Sequence, residues 1–124
     1  MARILVVEDE SLVAVTLCDA LQDHGHEVLH AVNGGAALAA MEKQVPDLIV
    51  TDYRMPRLNG AELVDAVRQD PRWRDVPVLM VSGYQDPQEG GSRRPGEAFL
   101  QKPFTHDSLL AAVNGLLGRP TVAA

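Results

Sequence analysis

The sequence predicts one α/β domain whose central sheet is parallel and is covered by helices on both faces. Short aliphatic runs alternate with amphipathic stretches along the chain, and the clearest runs contain four residues or fewer. Continuous apolar runs suit strands that are covered on both faces, because a half-solvated strand would alternate apolar and polar residues. Since crossovers between parallel strands are right-handed, this alternation predicts a doubly wound sheet.

Five segments are predicted to be strands. Three are continuous aliphatic runs and two are weaker candidates that suit sheet edges: Ile4–Val7, Leu48–Val50 and Val78–Val81, then Val28–Val32 and Ala98–Gln101. Apolar residues at i, i+3, i+4 and i+7 predict helices between them. Capping residues or helix breakers mark the predicted helix ends: Gly25 after the Ala14–Leu21 stripe, Asn33 before a helix reaching Lys43, Asp70-Pro71 after the Gly60–Val67 stripe, and Thr105 and Gly118 around the last helix.

One further helix, between Ser82 and Ala98, is predicted to be short or disordered. Its helix breakers are Pro87, Gly90, Gly91, Pro95 and Gly96. Because proline and glycine disfavour helix interiors, we expect one or two turns at most. We therefore expect the segment 85–96 to be mobile.

Length and charge restrict the classes of protein to which the chain can belong. It has 124 residues, which fits one domain, and its net charge is −6. Nucleic-acid-binding domains normally carry the opposite sign, so we expect no direct nucleic-acid contact.

Cys18 is the single cysteine, which excludes an internal disulfide and suits a reducing compartment. The first apolar run stops at Glu8, too early for a signal peptide or a membrane span, so a cytoplasmic domain without membrane insertion is expected.

Polar residues stand at the predicted carboxyl ends of four strands. Glu8 and Asp9 follow the first strand, Asp52 and Ser82 follow the third and fourth, and Lys102 follows the fifth. Ligands of open α/β sheets bind outside these strand ends. Carboxylates gathered there would repel one another unless a cation lay among them, and Mg²⁺ prefers oxygen ligands of this kind. The sequence therefore predicts a magnesium site at this edge.

Four motifs surround these strand ends. They are Glu8-Asp9, the run Asp52-Tyr53-Arg54-Met55-Pro56 with Gly60 after it, Ser82-Gly83, and Lys102-Pro103-Phe104. In these motifs, their order and their spacing, the sequence resembles the receiver domains of two-component response regulators over about residues 2–118. The resemblance implies a flavodoxin-like fold with strand order 2-1-3-4-5. It also implies a receiver domain at residues 1–118, followed by a C-terminal tail at 119–124.

The resemblance implies a role for each acidic residue. Asp52 would accept a phosphoryl group on its carboxylate. Glu8 and Asp9 would hold Mg²⁺ together with Asp52 and the backbone carbonyl of Arg54. Glu8 stands where the family most often has aspartate, and we expect a water-mediated or indirect contact to tolerate the longer side chain. As an isolated motif, Glu8-Asp9-Glu10 could instead favour the start of a helix.

The resemblance also implies how a phosphoryl group would be held and sensed. Lys102 would pair with one phosphoryl oxygen and the Ser82 hydroxyl would bond another, so that charge on the transferred group is neutralised. Phe99 would be the switch aromatic that turns inward as Ser82 moves, although an aromatic residue in a strand is often simply part of the core. Arg54 and Tyr84 would tune the lifetime of the phosphoryl group.

The implied function is a single-domain response regulator that signals through proteins. Its partners would be a histidine kinase or histidine phosphotransfer protein and a downstream protein target, and the chain would be a monomer or weak dimer. It would be no enzyme beyond its own phosphorylation and dephosphorylation. Two alternatives are a receiver module detached from a DNA-binding or enzymatic output domain, and an interaction domain that is never phosphorylated. A flavodoxin would need a hydroxyl- and glycine-rich loop at Glu8-Asp9-Glu10, and a haloacid-type phosphatase would need aspartate at Arg54.

Three other residue types are assigned structural roles. His24 and His26 flank Gly25 without a third metal ligand nearby and are expected to be surface polar residues. Trp73 is expected to pack the loop after the third helix. Cys18 lies on an apolar stripe and is interpreted as a small core residue.

Overall fold

Five parallel strands form one sheet in the order β2-β1-β3-β4-β5 in the computed structural model. The structure describes residues 2–53, 60–82 and 96–118. The strands are Arg3–Val7 (β1), Glu27–Ala31 (β2), Leu48–Asp52 (β3), Val78–Ser82 (β4) and Glu97–Gln101 (β5). The predicted fold class and strand order are confirmed. All five strands differ from their predicted bounds by one or two residues. Strand β2 begins and ends one residue earlier than predicted, which leaves Val32 exposed beside the turn into the next helix.

Four helices are present in the described ranges, and their ends follow the predicted capping residues. They are Ser11–Asp23 (α1), Gly34–Lys43 (α2), Gly60–Gln69 (α3) and His106–Leu117 (α4). Asn33 caps α2 by accepting a hydrogen bond from the Ala36 amide at 2.8 Å. Thr105 and Ser108 form a reciprocal capping box at the start of α4. Gly118 ends α4 in the left-handed conformation, with φ of 72°.

The helices lie in two layers, and strands β1 to β4 contribute side chains to the cores under both. Strand β5 contributes Ala98 and Leu100 to the core on the α1 and α4 side. On β1, Leu5 and Val7 pack against the α2 and α3 side of the sheet. Ile4 and Val6 pack against the α1 and α4 side. All four side chains are at most 1% exposed, which is why the strand is continuously apolar from Ile4 to Val7.

The structure corrects the interpretation of one histidine. His26 is buried, with 8% exposure, and its Nδ1 accepts a hydrogen bond from the Ala2 amide at 3.2 Å. It was predicted to be a surface residue, and the prediction fails because the N-terminal segment covers the start of β2. His24 is exposed, as predicted. Trp73 packs into the core on the α2 and α3 side, also as predicted, and Cys18 is partly buried at the edge of the other core.

Two predictions concern parts of the chain that the structure does not describe. The short helix after Ser82 and the mobility of the segment 85–96 fall outside the described residues, apart from the turn at Gly96. The boundary between residues 118 and 119 also stays a prediction.

Among the described helices, we find none with the length and apolar character needed to cross a membrane.

Candidate functional site

The parallel register gathers the polar strand ends at one edge of the sheet. Glu8 follows β1, Asp52 and Ser82 end β3 and β4, and Lys102 follows β5. The strands are aligned by these pairs: Val7 with Thr51, Asp52 with Val81, and Ser82 with Gln101. Backbone pairing continues past the last pair, because the Lys102 amide donates to the Ser82 carbonyl at 2.7 Å. The sheet itself therefore brings together residues that are far apart in the sequence.

Three carboxylates form a compact cluster at this edge. Glu8, Asp9 and Asp52 each offer one oxygen, and these oxygens lie within 4.8 Å of one another. Glu8 is fully buried and Asp52 is 8% exposed, whereas Asp9 faces solvent. Oxygen ligands from carboxylates, with one side of the cluster open to solvent, suit Mg²⁺, which keeps several of its water ligands in proteins. The donor set thus fits the predicted ion.

Lys102 lies between two of these carboxylates. Its Nζ is 3.3 Å from Glu8 Oε1 and 3.8 Å from Asp52 Oδ1. The side chain is 23% exposed, so the ammonium group is held at the edge of the cluster with limited access to water. Among the described residues at this edge, one ammonium group stands against three carboxylates, and this excess of negative charge favours a further cation.

Burial raises the pKa of the Glu8 carboxyl above its ordinary value. The negative charge of Asp52 acts in the same direction. The Glu10 amide, which donates to Glu8 Oε2 at 3.0 Å, and the Lys102 ammonium both lower the pKa, but they offset the burial only in part. The ionised cluster is therefore strained electrostatically, and a bound cation would relieve that strain.

Ser82 and Phe99 occupy different positions relative to the cluster. Ser82 is 1% exposed and ends the strand next to Asp52, as predicted. Phe99 is half-buried within β5, opposite Met80 on β4. It therefore lies in the neighbouring strand and is no member of the carboxylate cluster. Arg54 and Tyr84 fall outside the described residues.

Gly60 has a role at the site that the sequence analysis missed. We had placed it only within the motif after Asp52 and on the apolar stripe of α3. A Cβ atom at this position would lie 2.6 Å from the Asp52 carbonyl oxygen and 2.9 Å from the Tyr53 Cα. The Gly60 amide also donates to the Tyr53 carbonyl at 2.8 Å. Since real Cβ atoms do not approach backbone so closely, only glycine lets α3 begin directly behind Asp52. The sequence does contain a signal for this role, namely a glycine shortly after the acidic carboxyl end of β3.

An apolar groove adjoins the carboxylate cluster. It has a volume of about 350 Å³ and is lined by one face of α1 and the segment after β5: Leu12, Val13, Thr16, Leu17, Lys102, Pro103 and Phe104. Leu12, at 84%, is more exposed than any other large hydrophobic side chain among the described residues. Lys102 lines the groove and contacts the carboxylates, so the two features are continuous.

A buried carboxylate, an adjacent ammonium group and a cluster able to hold a divalent cation suit a phosphoryl group. Phosphoryl transfer requires alignment and charge neutralisation, and cationic groups supply both.

Residues 4–114 match the family model of the response regulator receiver domain. The chain is 34% identical over 119 residues to protein PilH of Pseudomonas aeruginosa, covering 94% of this chain and 98% of PilH.

Other similar proteins include longer regulators and solved structures. The phosphate regulon transcriptional regulatory protein PhoB of Rhizobium meliloti is 31% identical, and the match covers 96% of this chain but 53% of PhoB. This chain thus spans about half the length of that relative. The crystallised chemotaxis protein CheY4 of Vibrio cholerae is 32% identical with a TM-score of 0.83, covering 94% of this chain and 98% of CheY4. The chain therefore belongs to the response regulator receiver domain family.

Proposed function

We propose that Asp52 accepts a phosphoryl group from a histidine kinase or a histidine phosphotransfer protein, with Mg²⁺ as the cofactor. The observation that carries this proposal is the position of Lys102 Nζ, 3.3 Å from Glu8 and 3.8 Å from Asp52, at the edge of the three-carboxylate cluster. A nearly buried carboxylate flanked by an ammonium group can approach a phosphoryl group whose negative charge would otherwise repel it.

Glu8, Asp9, Asp52 and the backbone carbonyl of Arg54 would hold the magnesium ion. Three of these residues form the cluster described above, in which oxygens lie within 4.8 Å of one another. When bound, Mg²⁺ would neutralise phosphoryl oxygens and offset the repulsion among the carboxylates. The raised pKa of Glu8 supports this assignment, because it reflects a burial cost for which the protein's own groups compensate only in part.

The proposed reaction forms one bond and breaks another without a redox step. A carboxylate oxygen of Asp52 attacks phosphorus, and the bond between phosphorus and the donor's histidine nitrogen breaks. The electron pair stays on that nitrogen, and the donor returns as a neutral imidazole because its other ring nitrogen carries a proton throughout. Lys102 pairs with one phosphoryl oxygen and the Ser82 hydroxyl donates to another. Catalysis would be limited to the protein's own phosphorylation and dephosphorylation.

Phosphorylation would then act as a switch for a downstream protein partner. The phosphoryl group places up to about two negative charges where one carboxylate stood, at a position that is 8% exposed, and this draws Ser82 and Lys102 toward it. Ser82 ends β4 and Phe99 lies in the adjacent β5, so movement at the end of one strand would reach the other. Arg54 and Tyr84 are proposed to tune the lifetime of the phosphoryl group.

The apolar groove supports a protein as the phosphoryl donor. A donor that covers Leu12 and the Pro103-Phe104 turn would bury apolar surface beside Lys102. Because Lys102 also contacts Asp52, a donor histidine at the edge of that interface would lie near the acceptor. A small phosphodonor would not contact this surface. Comparing phosphorylation by a protein donor with phosphorylation by a small donor therefore distinguishes an effect on docking from an effect on phosphoryl transfer.

A second candidate is a receiver module that controls an attached output domain. The partial coverage of PhoB, whose name describes a transcriptional regulatory protein, favours it. Both candidates use the same phosphorylation site, and the length of the open reading frame that encodes the chain distinguishes them.

The proposal is tested by intact mass spectrometry after incubation with acetyl phosphate. In the presence of Mg²⁺ the wild-type protein should gain the mass of one phosphoryl group, and in the presence of EDTA it should gain none. Asp52→Asn should remain unmodified, whereas Asp65→Asn, which removes an exposed carboxylate on α3, should behave like the wild type. Equal modification of Asp52→Asn and the wild type would refute the assigned acceptor. No modification of any variant would favour an interaction domain that is never phosphorylated.

A further inference from the structure

His30 contacts the backbone of a proposed metal ligand. It lies on the edge strand β2, and its Nε2 is 2.8 Å from the Glu8 carbonyl oxygen. A carbonyl oxygen can only accept a hydrogen bond, so Nε2 carries the proton and donates it. The two residues are 22 positions apart in the chain, and the proposed function uses Glu8 but assigns nothing to His30.

The His30 imidazole donates to the Glu8 carbonyl in place of a backbone amide of the neighbouring strand. The Glu8 amide donates to the Ala31 carbonyl at 3.0 Å, so pairing between β1 and β2 extends to the nitrogen of Glu8. Strand β2 ends at Ala31, and no backbone amide of the described residues donates to the Glu8 carbonyl. Strand pairing therefore stops before the Glu8 carbonyl, and the His30 side chain continues it by one hydrogen bond.

Holding this carbonyl also fixes the residue that follows. The carbonyl of Glu8 and the amide of Asp9 belong to one planar peptide unit, which includes the Cα atoms of both residues. A hydrogen bond that fixes the carbonyl direction thus limits where the Asp9 side chain can point. Asp9 is the exposed member of the carboxylate cluster. The Glu8 side chain is held separately by the Glu10 amide and by Lys102.

We propose that His30 is a positioning residue that orients the Glu8–Asp9 peptide and so pre-organises the carboxylates for a divalent cation. This inference rests on the proposed function. Groups that orient the ligands of a metal commonly set its affinity, because they remove the cost of ordering those ligands on binding. His30 would act through Glu8 and Asp9 and would touch neither the ion nor the phosphoryl group.

The test compares two replacements of His30 with a control histidine. His30→Leu removes the donor, whereas His30→Gln places an amide nitrogen at a similar distance along the side chain. His24→Leu is the matched control, because His24 is also exposed and its Nδ1 contacts a carbonyl, that of Ala20, at 3.1 Å. The readouts are Mg²⁺ affinity by isothermal titration calorimetry and the initial rate of phosphorylation by acetyl phosphate over a range of Mg²⁺ concentrations.

We expect His30→Leu to weaken Mg²⁺ binding about tenfold, the lower end of the effect of groups that orient metal ligands. The Mg²⁺ concentration that gives half the maximal phosphorylation rate should rise by the same factor, while the rate at saturating Mg²⁺ stays within about twofold of the wild type. His30→Gln should restore affinity to within about threefold, as expected when one hydrogen bond is retained in altered geometry. His24→Leu should bind Mg²⁺ like the wild type.

Several outcomes would overturn the inference. Unchanged affinity in His30→Leu would remove the positioning role, and so would equal losses in His30→Leu and His30→Gln, which would indicate a structural effect of the ring. If His30→Leu does not fold, His30→Thr takes its place, since threonine suits a strand and is too short to reach the Glu8 carbonyl. The proposed function fails separately, when the wild-type protein neither binds Mg²⁺ nor gains phosphate at Asp52.

Discussion

Removing the ammonium group of Lys102 should slow phosphorylation without weakening magnesium binding. Lys102→Met keeps the length of the side chain but removes its charge. The Nζ atom lies 3.3 Å from Glu8 Oε1 and 3.8 Å from Asp52 Oδ1, so the group compensates two carboxylates at once. At such separations a unit charge pair is worth about 4 kcal/mol in a protein environment of effective dielectric constant about 20, before solvation costs are deducted.

The effect on the reaction should be large because the lost charge acts on the transferred group. Removing one preorganised electrostatic contact of this kind lowers a rate by about 10²–10³-fold. We therefore expect the initial rate of phosphorylation by acetyl phosphate at saturating Mg²⁺ to fall by that factor. Mg²⁺ affinity should stay equal or increase, since the carboxylate cluster becomes more negative. The metal-free protein should lose stability, because the burial of Glu8 is then less compensated.

The assay separates these effects when rate, affinity and stability are measured on the same samples. Phosphorylation is followed by intact mass, Mg²⁺ binding by calorimetry, and stability by urea unfolding in EDTA. Lys43→Met is the control, because it removes the same charge from an exposed position in the last turn of α2. A Lys102→Met protein that is phosphorylated within about threefold of the wild type would refute the electrostatic role assigned to the ammonium group.

Two further predictions follow from Glu8 and Leu12. The pKa of Glu8 is raised above its ordinary value of 4.5, so ionisation of this carboxyl lowers the free energy of unfolding. The loss of stability is absent at low pH and grows as the pH rises above 4.5. In EDTA at neutral pH, Glu8→Gln should therefore have a higher Tm than the wild type, and the difference in Tm should shrink as the pH falls toward 4.5. A lower Tm of Glu8→Gln at neutral pH would contradict this reasoning. Leu12→Glu should reduce phosphotransfer from a protein donor at least about tenfold, since it places a charge in an apolar interface. Its stability should change by less than about 0.5 kcal/mol and its phosphorylation by acetyl phosphate should not change, whereas undiminished transfer from the protein donor would exclude the groove as the docking surface.

The sequence by itself determined the features that depend on neighbouring residues. The caps of α2 and α4 involve atoms three residues apart, such as the Asn33 side chain and the Ala36 amide. The continuous apolar strands required burial on both faces. Because parallel strands share one carboxyl edge, the approximate gathering of Glu8, Asp52 and Lys102 also followed from the order of the elements.

Only the tertiary structure decided the contacts between distant segments. Lys102 and Glu8 are 94 positions apart, and no local pattern specifies that the ammonium group lies between Glu8 and Asp52. The same is true of the burial of His26 under the N-terminal segment and of the bond from His30 to the Glu8 carbonyl. Local propensity and periodicity act over a few residues, whereas these contacts depend on the strand register and on side-chain packing, which are set when the whole sheet assembles.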